Sequence, residues 1–368
     1  MRGMHAKSAT GFAIAVALTA ATIVLWGFAH RLFSTLLPGL GQALSLTPAQ
    51  ADMARSAVAI GYFLMTLPTV FISRNFGYKI GMLFGLGTFA VGIFLLYPAV
   101  AGHSILFFIA AASVFGSGLA MVEVTAMPLV VFLGSRNGAI QRAILAAALS
   151  PLGALAALVV GHKMLAGAAI SPGFAHSLIA LLSAVGVAAI ALAFVMEIAK
   201  FPPVATARVS PTDRTLPSFL KPLRIRRFRT AVMASFLCLF AQIVIAGFAP
   251  LYSLAVMPSL TPAAAQLVLV WAYLALLIGR LIGPLLMVRI AHMHLLVISS
   301  AAATLCAIMA AATSGPFAIA CLVGTSFFMA ILYPTIFADA LRDLGDMANR
   351  PPLYCSLWRS AAPASLPC

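Results

Sequence analysis

The sequence predicts an all-α polytopic membrane protein with about ten transmembrane helices. Of its 368 residues, 63% are apolar and only 8% are charged, whereas about 25% of the residues of a soluble domain are charged. The mean hydropathy is +1.10, so the chain has too few charges to cover a surface in water. Residues 230–279 and 290–338 contain no charged side chain, and each window is long enough for two crossings of about 20 residues.

Ten apolar segments make up most of the chain, and turn residues separate them. The turns contain Pro38-Gly39, Gly134-Ser135, Ser171-Pro172-Gly173 and Ser314-Gly315-Pro316, since Gly and Pro interrupt regular structure. In chain order, the predicted spans are 10–37, 55–73, 80–100, 104–133, 142–162, 174–199, 230–257, 262–288, 292–313 and 316–340.

The basic residues predict how these spans are oriented. With the N-terminus in the cytoplasm, the inside segments hold most of the Lys and Arg residues, eight of them within 200–229, and Lys163 lies clearly outside. This bias agrees with the positive-inside rule. It also explains the net charge of +15 without a nucleic-acid partner, because the basic residues lie between apolar segments.

The long polar segment divides the chain. The sequence predicts an N-terminal six-helix bundle over 1–199, a basic cytoplasmic linker over 200–229 and a partial C-terminal bundle of four helices over 230–346. A central basic loop after six helices is typical of transporters built from two six-helix halves. On that basis ten helices (6 + 4) of an expected twelve are present.

Residues 347–368 form an atypical tail. Two Cys, one Trp and four Pro follow within this short segment, which is too interrupted by proline to span a membrane. Two interpretations stay open. The tail is the product of a frameshift or truncation, or it is the short cytoplasmic end of a genuine ten-helix protein.

Five segments resemble the fucose–galactose–glucose:proton symporter family of the major facilitator superfamily. They include LWGFAHRLFSTLLP at 25–38, GSGLAMVEVTAMPLVVFLG at 116–134, and FFMAILYPTIFADALRDLG at 327–345. The other two lie at 60–86 and 277–292, the latter with an IGRxxG pattern. The resemblance implies a major facilitator fold with two halves around a central cavity. It also implies alternating access, proton-driven sugar uptake, a bacterial inner membrane, a monomer, and no cofactor beyond the proton gradient.

Glu123 is the leading candidate for proton coupling. It is the only charged residue within 80–135, and a carboxylate in the middle of a membrane helix is costly enough to require a cavity or a partner. The resemblance aligns it with a helix-4 glutamate that takes part in proton coupling and sugar binding. A structural carboxyl group that bonds across helices is the alternative.

The first predicted helix departs from the family. The family has an essential aspartate where this chain has Ser34, and two asparagines where it has His30 and Arg31. His30 is a side chain that can titrate near neutral pH, and an interfacial residue whose ring is satisfied by hydrogen bonds is the alternative. Arg31, together with Arg55, raises the hypothesis of an anionic sugar, because guanidinium groups bind carboxylates in charge-assisted pairs. Snorkelling to the membrane interface is the alternative.

Other candidate solute-binding residues lie in both halves. The family's sugar-contacting glutamine and asparagine are replaced here by Ala147 and Ser150, whereas Gln242 matches a family glutamine. Trp26 and Tyr273 are candidates for stacking on a sugar ring, although aromatic residues also anchor helices at membrane interfaces. For Gln242 an interhelical hydrogen bond is an equally open interpretation.

Two charged turns resemble the superfamily's cytoplasmic gate. Arg74, Gly77 and Lys79 belong to the first, in SRNFGYK, where the usual acid is missing. The second has Arg280, Gly283 and Arg289. Charges that pair in only one transport state are the functional interpretation, and charges that set topology are the alternative.

No enzymatic activity or metal site is expected. The Walker A and GxSxG patterns are absent, and the seven His residues are scattered. The sequence therefore favours a secondary transporter of a sugar or sugar-like solute. The alternatives are an uncoupled facilitator or exporter of another small solute, anionic solutes included, and an inactive truncated fragment.

Overall fold

The computed structural model describes residues 2–43, 46–133, 138–166, 174–206 and 221–347. Every regular element within these ranges is helical, with one short 3₁₀ turn at Lys221–Arg224. The helices are α1 Arg2–Ala43, α2 Pro48–Phe76, α3 Tyr78–Phe94, α4 Leu96–Ala101, α5 Ile105–Phe132, α6 Ala139–Ala166, α7 Phe174–Ile198, α8 Pro203–Thr206, α9 Arg226–Val256, α10 Pro262–Leu286, α11 His292–Ala312, α12 Gly315–Met329 and α13 Leu332–Met347.

The ten predicted spans are confirmed. In the described part of the chain, ten helical segments are long and apolar enough to cross a membrane. Each lies over the segment that the sequence predicted, from Gly11–Leu37 to Gly315–Leu341. The chain is therefore an all-α integral membrane protein.

Two of these spans are interrupted, which the sequence analysis did not predict. The third span breaks at Leu95 between α3 and α4, and the tenth breaks after Met329 between α12 and α13. In each case a proline, Pro98 or Pro334, follows within a few residues. Proline has no N–H group for the helical bond and restricts the residue before it, so both breaks have a local cause.

Polar caps fix where several helices begin. Thr47 and Gln50 form a capping box at the start of α2, in which each side chain accepts from the other residue's backbone N–H. Thr261 accepts from the N–H of Ala264 at the start of α10, and Ser104 accepts from Phe107 at the start of α5. These side chains satisfy N–H groups that a helix leaves open in its first turn.

The described residues form two compact units. The first contains residues up to 133 and 156–206, and the second contains 138–155 and 221–347. The boundary falls inside α6, so the first half of that helix belongs to the second unit. The six-helix and four-helix division stays a prediction. Residues 207–220 of the predicted linker lie outside the described residues, as does the tail apart from Met347.

Helix α5 is the centre of the first unit because glycines let it pack backbone to backbone. A Cβ atom at Gly116 would overlap the Val58 carbonyl oxygen of α2. One at Gly118 would overlap the backbone nitrogen of Phe89 in α3. Small residues of this kind permit close helix contacts in membranes, and here they leave α5 little freedom to shift.

Candidate functional site

Glu123 lies on α5, the helix that the first unit holds most tightly. Its side chain is half-buried. On the preceding turns, the Ser117 hydroxyl lies within hydrogen-bonding distance of the Gly61 carbonyl of α2 (3.1 Å) and of the Ser113 carbonyl (2.9 Å). The backbone around Glu123 is therefore fixed by α2 and α3, which suits a carboxyl group whose environment must be defined.

Trp26 ties α1 to the same region of α5. Its indole N–H donates to the Leu119 carbonyl at 3.0 Å, one helical turn before Glu123. The imidazole ring of His30 stacks on Trp26, with ring centroids 5.6 Å apart and an angle of 24° between the planes. The structure thus brings Trp26 and His30 together and places Trp26 beside the turn that leads to Glu123.

The void next to Trp26 is small. It is lined mainly by apolar side chains, among them Leu86 and Val122, and has a volume of about 10 Å³. That is room for one water molecule at most. No monosaccharide fits this void as it stands.

The other candidates on α1 make local contacts. The Ser34 hydroxyl donates to the His30 carbonyl at 3.0 Å, and the Ser34 side chain is exposed. Arg31 is half-buried. Arg55 forms an exposed ion pair with Asp52 at 2.9 Å, one turn earlier in its own helix. This contact compensates the Arg55 charge and weakens the case for that residue as an anion ligand.

In the first charged turn, Lys79 caps the end of another helix. Its ammonium group donates to the carbonyls of Glu197 at 2.8 Å and Ala199 at 3.3 Å, at the C-terminus of α7. It also lies 3.7 Å from the Glu197 carboxylate and 5.6 Å from the centre of the Phe201 ring. A cation at the C-terminus of a helix is favoured by the open carbonyls and the helix dipole.

Gly77 makes this turn possible. Its φ angle is +92°, a conformation that side chains with a Cβ atom rarely adopt. A Cβ atom there would also lie 2.9 Å from the Ala205 carbonyl oxygen in α8. Arg74 is half-buried in the last turn of α2. The turn is therefore packed against the beginning of the segment predicted as a linker.

In the second unit, Gln242 and Arg280 bind consecutive carbonyls. The Gln242 amide donates to the Met329 carbonyl at 3.0 Å, and Arg280 Nε donates to the Ala330 carbonyl at 3.2 Å. Arg280 Nη1 also donates to the Ala147 carbonyl of α6. Only 6% of Arg280 is exposed. The interhelical hydrogen bond considered for Gln242 is thus present, at the break between α12 and α13.

The remaining candidates of the second unit lie on α6, on α10 and in the turn after α10. Ser150 lies three residues after Ala147 and is half-buried, as is Tyr273 in α10. Gly283 lies one turn after Gly279 on α10, and Arg289 is exposed in the turn that follows this helix. The solute-binding, coupling and gating roles of all these residues stay predictions.

Sequence reasoning missed one ionisable pair. His292 Nε2 at the start of α11 lies 3.3 Å from Asp339 Oδ1 in α13, and the two side chains are 26% and 15% exposed. Asp339 is the first charged residue after the uncharged window 290–338, a signal that could have identified it. Among the described residues, no group of three or more His, Cys, Asp or Glu side chains could hold a metal ion.

Comparison with known proteins identifies the family. The model of the Major Facilitator Superfamily matches residues 11–349, which is most of the chain. The chain belongs to the Major Facilitator Superfamily. The resemblance seen in the sequence is thereby confirmed at this level, and the family consists of transporters rather than enzymes.

Two relatives within the superfamily cover nearly the same region. The L-fucose-proton symporter of Escherichia coli K12 is 30% identical over 92% of this chain and 82% of its own length. The glucose/galactose transporter of Brucella abortus is 26% identical over 94% of this chain and 85% of its own length. This agrees with the fucose–galactose–glucose:proton symporter family named by the sequence motifs.

Solved structures of superfamily members confirm the fold. The transporter FucP in the outward conformation matches with a TM-score of 0.82 and 26% identity, over 95% of this chain and 88% of that one. The proton:xylose symporter XylE matches with a TM-score of 0.77 over 96% of this chain and 85% of that one. XylE is only 12% identical, so it supports the major facilitator fold alone.

Proposed function

We propose that this chain is a secondary active transporter that takes up a monosaccharide or a similar solute together with protons, by alternating access. The 30% identity with the E. coli L-fucose-proton symporter over 92% of the chain carries this proposal. The similarity to a glucose/galactose transporter supports the same solute class.

Glu123 is the proposed proton-coupling acid. It is half-buried on a helix whose backbone is packed closely against α2 and α3 through glycines. An ionisable residue inside a membrane span is a functional-site candidate by default, and proton relays in transporters are among the sites built from such carboxyl groups. Solute-binding roles are proposed for Trp26, His30, Arg31 and Ser34 in the first unit, and for Ser150, Gln242 and Tyr273 in the second.

The proposal includes location and energy source. The Lys and Arg distribution favours a cytoplasmic N-terminus, and the bacterial relatives support the inner membrane. The transporter works as a monomer, needs no cofactor, and draws its energy from the proton gradient. Its partners are the solute, protons and the lipid bilayer.

The first experiment is uptake into proteoliposomes under an imposed pH gradient. Labelled L-fucose, D-galactose and D-glucose are offered separately, with the interior alkaline. We expect accumulation of at least one of them above its external concentration, and collapse of this accumulation when a protonophore is added. Competition by D-glucuronate and D-galacturonate shows whether a sugar acid is accepted.

Glu123→Gln tests the coupling role. The amide cannot carry a proton, so we expect accumulation to be lost while exchange of labelled for unlabelled sugar across the membrane continues. Glu197→Gln is the matched control, because the Glu197 side chain is 67% exposed at the end of α7 and the substitution keeps the backbone carbonyls that Lys79 binds. It should accumulate sugar normally. Accumulation by Glu123→Gln that equals the unmodified protein would rule out this role.

The same assay separates the alternatives. Saturable uptake that does not respond to the pH gradient would indicate an uncoupled facilitator, in agreement with Ser34 at the position of the family's helix-1 aspartate. No saturable uptake of any sugar or sugar acid by folded protein would contradict the proposed function and indicate an inactive chain.

A further inference from the structure

The two backbone carbonyls that Arg280 binds share one property, which is that each lies four residues before a proline. In an α-helix a carbonyl accepts from the N–H group four residues later, and proline has none. Pro151 therefore leaves the Ala147 carbonyl of α6 without its helical donor. Pro334 does the same to the Ala330 carbonyl at the break before α13.

Arg280 supplies both missing donors. Its Nη1 atom donates to Ala147 and its Nε atom donates to Ala330 at 3.2 Å. Away from water, a carbonyl without a donor is strongly unfavourable. A guanidinium group suits this task, because its donors form a rigid planar fork and it stays charged when it is buried. One ammonium group cannot reproduce that fork.

Glycines bring α10 close enough for these bonds. A Cβ atom at Gly279 would lie 2.5 Å from the Phe327 carbonyl oxygen of α12, and one at Gly283 would overlap Ile331 Cγ2. The residues of the IGRLIG segment therefore act together. Two glycines one turn apart let α10 pack closely, and Arg280 between them donates the hydrogen bonds.

A second side chain reaches the same break. Gln242 of α9 donates to the Met329 carbonyl, directly before the carbonyl that Arg280 binds. The break between α12 and α13 is therefore held from two neighbouring helices. Arg280 also links this break to α6, because it donates to the Ala147 carbonyl near Ser150.

We propose that Arg280 is a positioning residue of the transport cycle. It holds the proline sites of α6 and of the last span in fixed register, beside the predicted solute residues Ser150 and Gln242. The rate of transport depends on its hydrogen bonds to both the Ala147 and the Ala330 carbonyls. It does not depend on the charge of Arg280 forming an ion pair in a gate. The transport part of this inference rests on the proposed function, whereas the coupling between Arg280 and the two prolines does not.

Thermal unfolding in detergent tests the coupling independently of transport. Arg280→Gln is made in the unmodified chain and in a Pro151→Ala/Pro334→Ala background. We expect it to lower Tm by about 5 °C or more in the first case and by less than half as much in the second, because the alanines restore the missing N–H donors. If Arg280→Gln alone gives no folded protein, recovery of monodisperse protein by the two alanines is the equivalent result.

The matched control is Pro250→Ala in α9. It restores an N–H group in the same unit, at the Ala246 carbonyl, which is neither of the two that Arg280 binds here. It should not reduce the effect of Arg280→Gln. An equal loss of Tm in the unmodified and the double-alanine backgrounds, or no recovery of folded protein, would overturn the proposal.

Transport kinetics distinguish positioning from plain stability. Arg280→Lys keeps the charge and loses the fork, and its uptake of labelled L-fucose and D-galactose is measured per folded molecule. We expect Vmax to fall about tenfold with KM nearly unchanged, and the double-alanine background to restore part of Vmax. An unchanged Vmax, or a change in KM alone, would contradict the positioning role. If the unmodified chain transports neither sugar, the proposed function fails while the unfolding experiment still decides whether Arg280 and the prolines are coupled.

Discussion

In the first unit the charged turn with Gly77 and Lys79 lies at the ends of helices, whereas its counterpart in the second unit places Arg280 inside a helix. Lys79 donates to the last carbonyls of α7, where any helix leaves acceptors open. Arg280 donates to carbonyls that are open only because prolines follow them. The two motifs therefore both bind open backbone carbonyls, but these are open at a helix end in the first unit and because of prolines in the second.

The difference shows why one position has lysine and the other has arginine. A helix end exposes several carbonyls within one small region, and a flexible ammonium group can serve them as a point charge. The two proline sites lie on different helices, and a planar fork reaches both at once. The glycines differ in the same way, because Gly77 is required by a φ angle of +92° and Gly279 by the close approach of two helices.

The largest effect is expected at Gly279, where the second motif depends on close packing. Gly279→Val places side-chain atoms against the Phe327 carbonyl oxygen, which lies 2.5 Å from the point that a Cβ atom would occupy. We expect a loss of about 3 kcal/mol in unfolding free energy. The measurement is the temperature at which the protein loses monodispersity in detergent, which should be lower for this variant than for the unmodified protein. Gly247→Val on α9 is the control, since nothing lies within 4 Å of a Cβ atom there. Equal losses for the two variants would contradict the packing argument.

The next effect is expected at Gly77 in the first motif. Gly77→Ala combines a positive φ angle with a Cβ atom 2.9 Å from the Ala205 carbonyl oxygen. The expected loss of stability is about 2 kcal/mol, detected by the same unfolding assay. Gly87→Ala on α3 has open space around it and should be neutral. A neutral Gly77→Ala would mean that α8 can move away from the turn without cost.

Lys79→Met removes the cap from α7 and should have a smaller effect. We expect about 1 kcal/mol, because the lost bonds are partly replaced by water at a helix end. Lys79→Arg should retain most of this stabilisation. The control is Lys163→Met at the exposed end of α6. A loss for Lys163→Met as large as that for Lys79→Met would assign the effect to charge in general.

The smallest effect is expected at Arg289. This residue is exposed in the turn after α10, so Arg289→Gln should change stability by less than about 0.5 kcal/mol. Comparison of Arg289→Gln with Arg280→Gln distinguishes the stabilisation contributed by the buried arginine of the second motif from that of the exposed one. A large loss of stability or of uptake for Arg289→Gln would show that charge in this turn matters in its own right.

The helices were predictable, and their interruptions were not. Long apolar segments separated by Gly and Pro turns identified all ten spans, because crossing a bilayer imposes a minimum apolar length. A proline lies close to each break, but the side chains that bind the carbonyls at the break after Met329 come from α9 and α10, which are distant in sequence. Pro128 has no such effect, since α5 continues through it.

The candidate site also contains residues that the sequence predicts and contacts that it does not. Glu123 could be singled out because an isolated acid in an apolar span is a strong signal in the sequence. The partners of Trp26, which are Leu119 and His30, could not all be predicted, because Leu119 lies 93 residues away. The pair of His292 and Asp339 was not predicted for the same reason, since its two members are distant in sequence.

Composition and spacing by themselves determined that this chain is an α-helical membrane protein, and its motifs determined the transporter family. These properties follow from local rules, namely apolar length, turn residues and the placement of charge. Only the tertiary structure decided what Lys79, Gln242 and Arg280 do, because the acceptors of all three are backbone carbonyls. A carbonyl that lies four residues before a proline can be recognised in the sequence, but which side chain reaches it depends on how the helices pack.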